Sequence, residues 1–329
     1  MPIGREPIEK GNVVGRMENA GRTSATNLVR KESEKNKKFE IVYSEPRYGF
    51  EDIVLSRDTL SEIEDAISVF QYKDLLFDEW NLSRVMKKNG SCFINLYGAP
   101  GTGKTMTANA IAKKMGKKLL WVNYADIESK FVGETSKNIV YLFEKAAADS
   151  VVILFDEADA LLSKRVTDMS SATDVSVNQT RSVLLYLLDN YEGIIIFTTN
   201  FIRNYDPAFM RRIPYHIKFD LPNEEFRIKL LQHYLTNTVP NHIVFDDVAK
   251  KYEGIVGSDI SNAVMMASIK AAREGLKELR QEYLEDALER IIQSKNDNHS
   301  SFVNVRVYER EVSEEYALNQ IKKTRGANQ

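Results

Sequence analysis

Apolar and polar positions follow two rhythms along this chain, and the rhythm changes near Pro222. Before it, short apolar runs recur at Phe93–Tyr97, Lys118–Asn123, Val151–Phe155, Ile194–Thr198 and Tyr215–Phe219. Each has the length of a strand, and helical patterns stand between most of them, which predicts a five-stranded, mainly parallel sheet in an α/β domain. From Tyr48 a short extended piece leads into a helix whose Leu60, Ile63, Ile67 and Phe70 share one face. After Pro222 the spacing turns helical: Glu224–Leu235, Phe245–Lys251, Gly257–Glu274 and Gln281–Ser294 read as helices of a small second domain. Ile260, Val264, Met265, Leu284, Leu288 and Ile291 are assigned to its core.

The two ends read differently. Residues 1 to about 40 are polar, with a charge run from Lys31 to Lys38, and suit a flexible solvated linker or a docking arm. From Phe302 alternation resumes, predicting a strand followed by a short helix around Glu314–Lys322. The expected organisation is an arm over 1–45, an α/β domain over 46–221, a helical lid over 222–298 and a tail over 299–329.

Composition adds exclusions. A net charge of −2 over 329 residues gives no general support for nucleic-acid binding. No apolar run reaches membrane-spanning length, and the polar N-terminus has no signal-peptide core. The single cysteine, Cys92, cannot form a disulfide within the chain, sits in an apolar strand pattern and fits a reducing cytoplasm. His216, His233, His242 and His299 form no HExxH pair, so neither a metalloprotease nor a zinc site is expected.

The chemistry concentrates between Ser91 and Thr105, where an apolar run breaks into a glycine-rich turn: SCFINLYGAPGTGKT. Gly98, Gly101 and Gly103 let successive backbone N–H groups face one concave surface, a cradle for phosphate oxygens. Pro100, Gly101, Thr102, Gly103, Lys104, Thr105 and Met106 are the residues expected around ATP. Lys104 supplies a charge within reach of the β- and γ-phosphates, and Thr105 a hydroxyl for Mg²⁺. The following helix, with Ala108, Ile111, Ala112 and Met115 on one face, ends at Gly116 and points its N-terminal dipole at the nucleotide.

In VVILFDEADA a strand ends at Asp156 and Glu157, which places two carboxylates at the same edge of the sheet. Asp156 can hold Mg²⁺ with Thr105, and Glu157 can polarise an attacking water as general base. A second strand ends at Asn200, whose amide can orient that water or touch the γ-phosphate. Downstream, DPAFMRRIPY sets Arg211 beside Arg212 without an obvious acidic partner in sequence. Such a pair can be solvated, or a guanidinium can enter a neighbouring site and neutralise charge on the transferring phosphoryl group.

Taken together, FEDIV, GAPGTGKT, SKFVGETSKNIVYLFEKA, ILFDEADAL, FTTN, DPAFMRR and VGSDISNAV resemble the AAA+ P-loop ATPases, specifically the AAA clade of protein-remodelling enzymes, from about Phe50 to Ile292. The resemblance implies that Asp52 and Ile53 receive adenine, with Leu230, Tyr234, Gly257 and Ser258 closing the pocket. It makes Asn200 the first sensor, Arg211 the arginine finger, Asp159 a carboxylate near the subunit boundary, and Arg212 a second finger or a bystander. Because the finger acts in trans, it implies a homo-oligomeric ring, most simply a hexamer. Two departures stand out: Leu55 replaces the glycine usual after DIV, and MRRIPY replaces an arginine-x-glycine-arginine pattern.

Lys130, Phe131 and Val132 match the family's aromatic pore loop, where an exposed ring grips extended polypeptide by apolar area alone. The other reading of Phe131 is a buried aromatic ahead of a helix. The polar stretch Val166–Val175 suits a second pore-facing loop. The expected activity is ATP hydrolysis with Mg²⁺, coupled to remodelling, unfolding or disassembly of a protein client in the cytoplasm, without nucleic acid or membrane. The alternatives are an ATP-driven nucleic-acid factor, which would need a basic groove with stacking aromatics, and an ATP-dependent switch that recruits an effector and leaves Phe131 dispensable.

Overall fold

The computed structural model of the chain describes residues 41–85, 90–123, 134–164, 172–200, 205–235 and 239–310. All elements below belong to the unit Tyr43–Gln329. The five expected strands are β2 (Cys92–Gly98), β3 (Leu119–Asn123), β4 (Val152–Asp156), β5 (Ile194–Thr199) and β6 (Tyr215–Phe219). A sixth, β1 (Tyr43–Ser44), pairs antiparallel with β3 and was not foreseen: two residues are too few to show a periodicity. The sheet order is β1-β3-β4-β5-β2-β6, and every pairing except β1 with β3 is parallel.

Register decides what meets at the carboxyl edge. Tyr97 lies opposite Thr199 and Phe155 opposite Phe197, so β2, β5 and β4 end almost level. The residues following each strand therefore share one crevice, the place where parallel sheets bind ligands.

One face of the sheet is covered by α1 (Arg57–Gln71) and α2 (Lys104–Lys114). Ser56 starts α1 as its N-cap, accepting from Thr59 N at 2.9 Å. Ile63, Ala66 and Ile67 of α1 and Ala108, Ile111 and Ala112 of α2 pack with Cys92, Ile94, Leu96, Ile194 and Ile196 in one core. Leu60 and Phe70 are only partly buried, and Ala66 takes a place at the centre of the stripe. The Cys92 thiol donates to Ala66 O at 3.1 Å, and burial pushes its pKa up to about 12, which makes it inert. The opposite face carries aromatics: Phe155 stacks on Phe197 at 5.2 Å, and Phe143 meets Tyr191 edge-on at 5.1 Å. Phe143 belongs to α3 (Glu134–Ala148), which packs with α5 (Ala172–Asn190); the short α4 (Asp159–Leu162) and α6 (Pro207–Met210) follow β4 and β5. Ala172–Val175, expected in a pore-facing loop, lie in α5: the helical pattern of TDVSVNQTRSVLLYLL extends back over them.

The second domain is built from α7 (Glu224–Leu235), α8 (Phe245–Lys251), α9 (Gly257–Arg273) and α10 (Gln281–Arg310). Its core joins Leu231, Leu235, Val248, Ile260, Ala263, Val264, Leu284 and Leu288. Two expectations fail here. Met265 is 62% exposed, because the buried stripe of α9 runs through Ile260, Ala263, Val264 and Ala267, one step round the helix. The stretch from Phe302 to Arg310, expected as extended, continues α10, since adding residues to an existing helix avoids the cost of a new nucleus.

Candidate functional site

Two glycines, the last residue of β2 and one in the loop after it, are held where no side chain would fit. At Gly98, with φ +149°, an added Cβ would lie 2.1 Å from the Phe219 carbonyl oxygen of β6. At Gly101, with φ +77°, it would lie 2.1 Å from Ser258 Oγ and 2.9 Å from Val256 Cγ2. The loop is thus pressed between the sheet and the start of the lid helix α9, and Ser258 N donates to Gly101 O at 3.3 Å. Asp259, one residue on, is buried; it accepts from Val256 N at 2.9 Å and from Lys295 Nζ at 2.5 Å, which ties α10 to the end of α9 that touches the loop.

Lys104 opens α2 with its side chain nearly buried. Its Nζ donates to Gly98 O at 2.8 Å, Ala99 O at 2.9 Å and Asn200 Oδ1 at 3.1 Å, which uses all of the ammonium's protons. Burial pulls its pKa down, and the nearby Asp159 and Asp156 oppose that shift. Asn200 is fixed at both ends, because its own N–H donates to Asp159 Oδ1 and Oδ2 at 3.2 and 3.3 Å.

Asp156 Oδ1 accepts from Thr105 Oγ1 at 3.0 Å and also from Thr198 Oγ1. Thr198, almost fully buried in β5, in turn accepts from Glu157 N at 3.2 Å. Glu157 itself is exposed and stands at φ +52°, a left-handed backbone that a non-glycine residue adopts only when its surroundings enforce it. Thr198 therefore fixes both carboxylate-bearing residues. It was missed in the sequence although it lies in FTTN, two places before Asn200. Arg181 was missed too: buried on α5, it donates to Ala160 O at 2.6 Å, Ser163 Oγ at 2.5 Å and Lys164 O at 3.0 Å, clamping the end of α4 whose first residue is Asp159.

Between the two domains lies a cavity of about 690 Å³. It is lined by Gly101 to Met106 and by all six residues that the resemblance assigned to the adenine end: Asp52, Ile53, Leu230, Tyr234, Gly257 and Ser258. Asp52 is tied into its own turn, its Oδ2 accepting from Gly49 N at 2.8 Å. Burial raises the Tyr234 pKa and keeps its hydroxyl protonated, and the hydroxyl bonds to Ser261. Leu55, Phe226, His233 and Asn262 also line the cavity and add apolar surface and two polar groups to its wall. Pro100 is exposed and does not line it; Asp156, Glu157 and Asn200 connect to it through Lys104 and Thr105.

The size and lining suit a nucleotide, and the donor set suits Mg²⁺: a threonine hydroxyl and a carboxylate oxygen already within 3.0 Å of each other, both hard ligands. Among the described residues no cluster of His, Cys, Asp and Glu could hold a metal by itself, and no helix is long and apolar enough to cross a membrane.

Arg211 is exposed and does not line the cavity of its own chain. Among the described residues its side chain makes no hydrogen bond or ion pair. Arg212 differs: its Nε and Nη2 donate to Asp189 Oδ1 and Oδ2 at 2.9 and 2.7 Å, and its Nη1 donates to Ala208 O at 3.1 Å. The acidic partner that its sequence neighbourhood lacks comes from 23 residues upstream. Lys130, Phe131 and Val132, with the first part of Val166–Val175, lie outside the described residues.

Residues 94–221 match the ATPase family associated with various cellular activities, AAA, and residues 242–286 match the AAA+ lid domain. The chain is 30% identical over 292 residues to the proteasome-activating nucleotidase of Sulfurisphaera tokodaii, a span of 86% of this chain and 72% of that relative. It is 31% identical over 244 residues to cell division protein C of Sulfolobus acidocaldarius, covering 71% and 62% of the two chains. To the ATP-dependent zinc metalloprotease FTSH 1 of Arabidopsis thaliana chloroplasts it is 35% identical over 205 residues, which is 60% of this chain and only 28% of the protease.

Proposed function

The chain belongs to the AAA family of ATPases, and from that premise we propose that it is a ring-forming, Mg²⁺-dependent ATPase of the cytoplasm that remodels protein clients by threading them through a central pore. The observation that carries the hydrolytic half is the convergence of Lys104, Thr105, Asp156, Glu157 and Asn200 at one sheet edge through Thr198 and Asp159.

Each residue then has a task set by its contacts. Lys104 exchanges the Gly98 and Ala99 carbonyls for phosphate oxygens, while the loop N–H groups and the α2 N-terminus hold the remaining charge. Thr105 and Asp156 would hold Mg²⁺, which supplies charge neutralisation across the phosphates when bound. Glu157 accepts the proton of the attacking water as its oxygen bonds to the γ-phosphorus and the bond to the bridging oxygen breaks. Asn200, locked between Asp159 and Lys104, orients that water. Arg211 neutralises the transferring group in the neighbouring copy, a task supported by its exposure and its place outside its own cavity. A homo-oligomeric ring follows, with six copies the arrangement that the family resemblance favours.

Protein remodelling is supported by the relatives, named as a proteasome activator and as proteases, and by the aromatic Phe131 between Lys130 and Val132. The test is to capture what the ATP-loaded Glu157→Gln protein retains in its native cell, beside the Glu157→Gln, Phe131→Ala double variant. A discrete protein held by the first and released by the second supports threading. Nucleic acid in both samples, or a protein held equally by both, overturns it.

A further inference from the structure

The finger turn contains two adjacent arginines, and the structure treats them oppositely. Phe209 and Ile213, on either side, are completely buried. Asp206 caps the turn by accepting from Ala208 N at 2.8 Å, and Pro207 takes the first helical position. Arg212 N and Ile213 N both donate to Phe209 O, at 2.9 and 3.0 Å. Between these buried anchors Met210 and Arg211 are exposed, and Arg211 is the charged group that the turn leaves at the surface.

Arg212 is fastened from a different element. Asp189 is the second-last residue of α5, where a carboxylate meets the negative end of the helix dipole and lowers helix stability. Its position is unexplained by the helix and explained by Arg212: the carboxylate receives the guanidinium through two parallel hydrogen bonds, a geometry that fixes orientation as well as distance. The third contact, from Nη1 to Ala208 O, satisfies a carbonyl at the end of α6. For Arg212 to reach a phosphate it would have to leave all of these.

We propose that Arg212 is not a second finger but a positioning residue, which with Asp189 clamps the turn to α5 so that Arg211 is presented outward to the neighbouring copy's site. The clamp rests on the reading of Arg211 as a trans-acting finger.

The experiment is a steady-state ATPase comparison of the full chain with Arg211→Ala, Arg212→Lys, Arg212→Gln, Asp189→Asn and the Arg212→Gln, Asp189→Asn double variant, with melting temperature and ATP affinity measured on each. A clamp makes Asp189→Asn, which keeps both arginines, slow kcat by about 10- to 100-fold, the size expected of an ångström-scale misplacement, with little change in ATP affinity. It also makes Arg212→Lys defective, since a lysine keeps the charge and loses the fork, and makes the double variant no worse than either single. Asp189→Asn with unchanged or raised turnover, or losses that multiply in the double variant, would overturn the clamp, because a freed Arg212 acting as a finger gives those results. If Arg211→Ala turns over normally, the finger reading fails instead and the clamp falls with it. A lost Arg211→Ala activity beside a silent Asp189→Asn removes the clamp alone.

Discussion

The phosphate end of the cavity and the turn carrying Arg211 are both catalytic in this reading, and they are built on opposite plans. At the phosphate end the polar groups are tied within the chain, the exposed Glu157 carboxylate excepted: Lys104 to two carbonyls and Asn200, Asn200 to Asp159, Thr105 and Thr198 to Asp156, and the Glu157 backbone to Thr198. At the turn, Arg212 is tied and Arg211 is left exposed. Preorganised dipoles accelerate a reaction because they need no rearrangement as charge develops. A group that must enter another chain's site cannot be satisfied at home without losing affinity for its target. The difference therefore separates what one copy supplies to its own nucleotide from what it supplies to its neighbour's.

The largest expected effect tests that division directly. Arg211→Ala should lower turnover by about 10³- to 10⁵-fold, the range for a stabilising arginine supplied in trans. Mixing it with a Glu157→Gln chain should recover activity, since the first keeps an intact phosphate end and the second an intact finger. Neither chain alone should turn over appreciably, and a mixture as inactive as its parts would place both groups in the same site of one copy. ATPase rates across a titration of the two chains decide it.

Glu157→Gln comes next. General-base catalysis contributes about 10²- to 10⁴-fold, so turnover should fall by that much while nucleotide affinity persists, because the amide keeps the size of the carboxyl and leaves Lys104 and Asp156 in place. Equilibrium nucleotide binding beside single-turnover hydrolysis separates the two quantities. Lost binding would mean that the left-handed backbone at Glu157 depends on the carboxylate rather than on the Thr198 contact.

How much of this was legible in advance depended on sequence distance. The glycine loop, the parallel strands, α7 and α8 were readable because each is specified by neighbours within a few residues: strand runs bounded by turns, and helical stripes such as Leu231 and Leu235. The adenine-end residues required the resemblance, since nothing in the local pattern of Ile53 or Leu230 points to a base; the fold then gathers them around one cavity. What escaped was pairwise and distant. Asp189 and Arg212 are 23 positions apart, and Thr198 and Asp156 are 42 apart, joined only by the β4–β5 register. Met265 reads as core from its apolar character in a helical pattern, yet it is 62% exposed, because a single step round a helix from Val264 turns a side chain by about 100°.

The smallest effect examines the phosphate end at its least conspicuous residue. Thr198 does not line the cavity, yet its hydroxyl donates to Asp156 and accepts from Glu157 N. Thr198→Val keeps the shape and removes both bonds, leaving a partly buried N–H without its partner at the general base. Losing a buried hydrogen-bond partner costs about 1–3 kcal/mol. If that cost falls on the catalytic geometry, kcat should drop by about 10- to 100-fold, and Thr198→Ser, which restores the hydroxyl, should recover most of it. If it falls on the fold instead, Thr198→Val should lower the melting temperature while the folded fraction turns over at the normal rate. The two outcomes separate when rates are normalised to active sites counted by nucleotide binding. Because the Glu157 backbone stands in a left-handed conformation with its N–H on Thr198, the rate is the quantity expected to move: the threonine holds a strained residue in place, and releasing it lets Glu157 relax away from the water it serves.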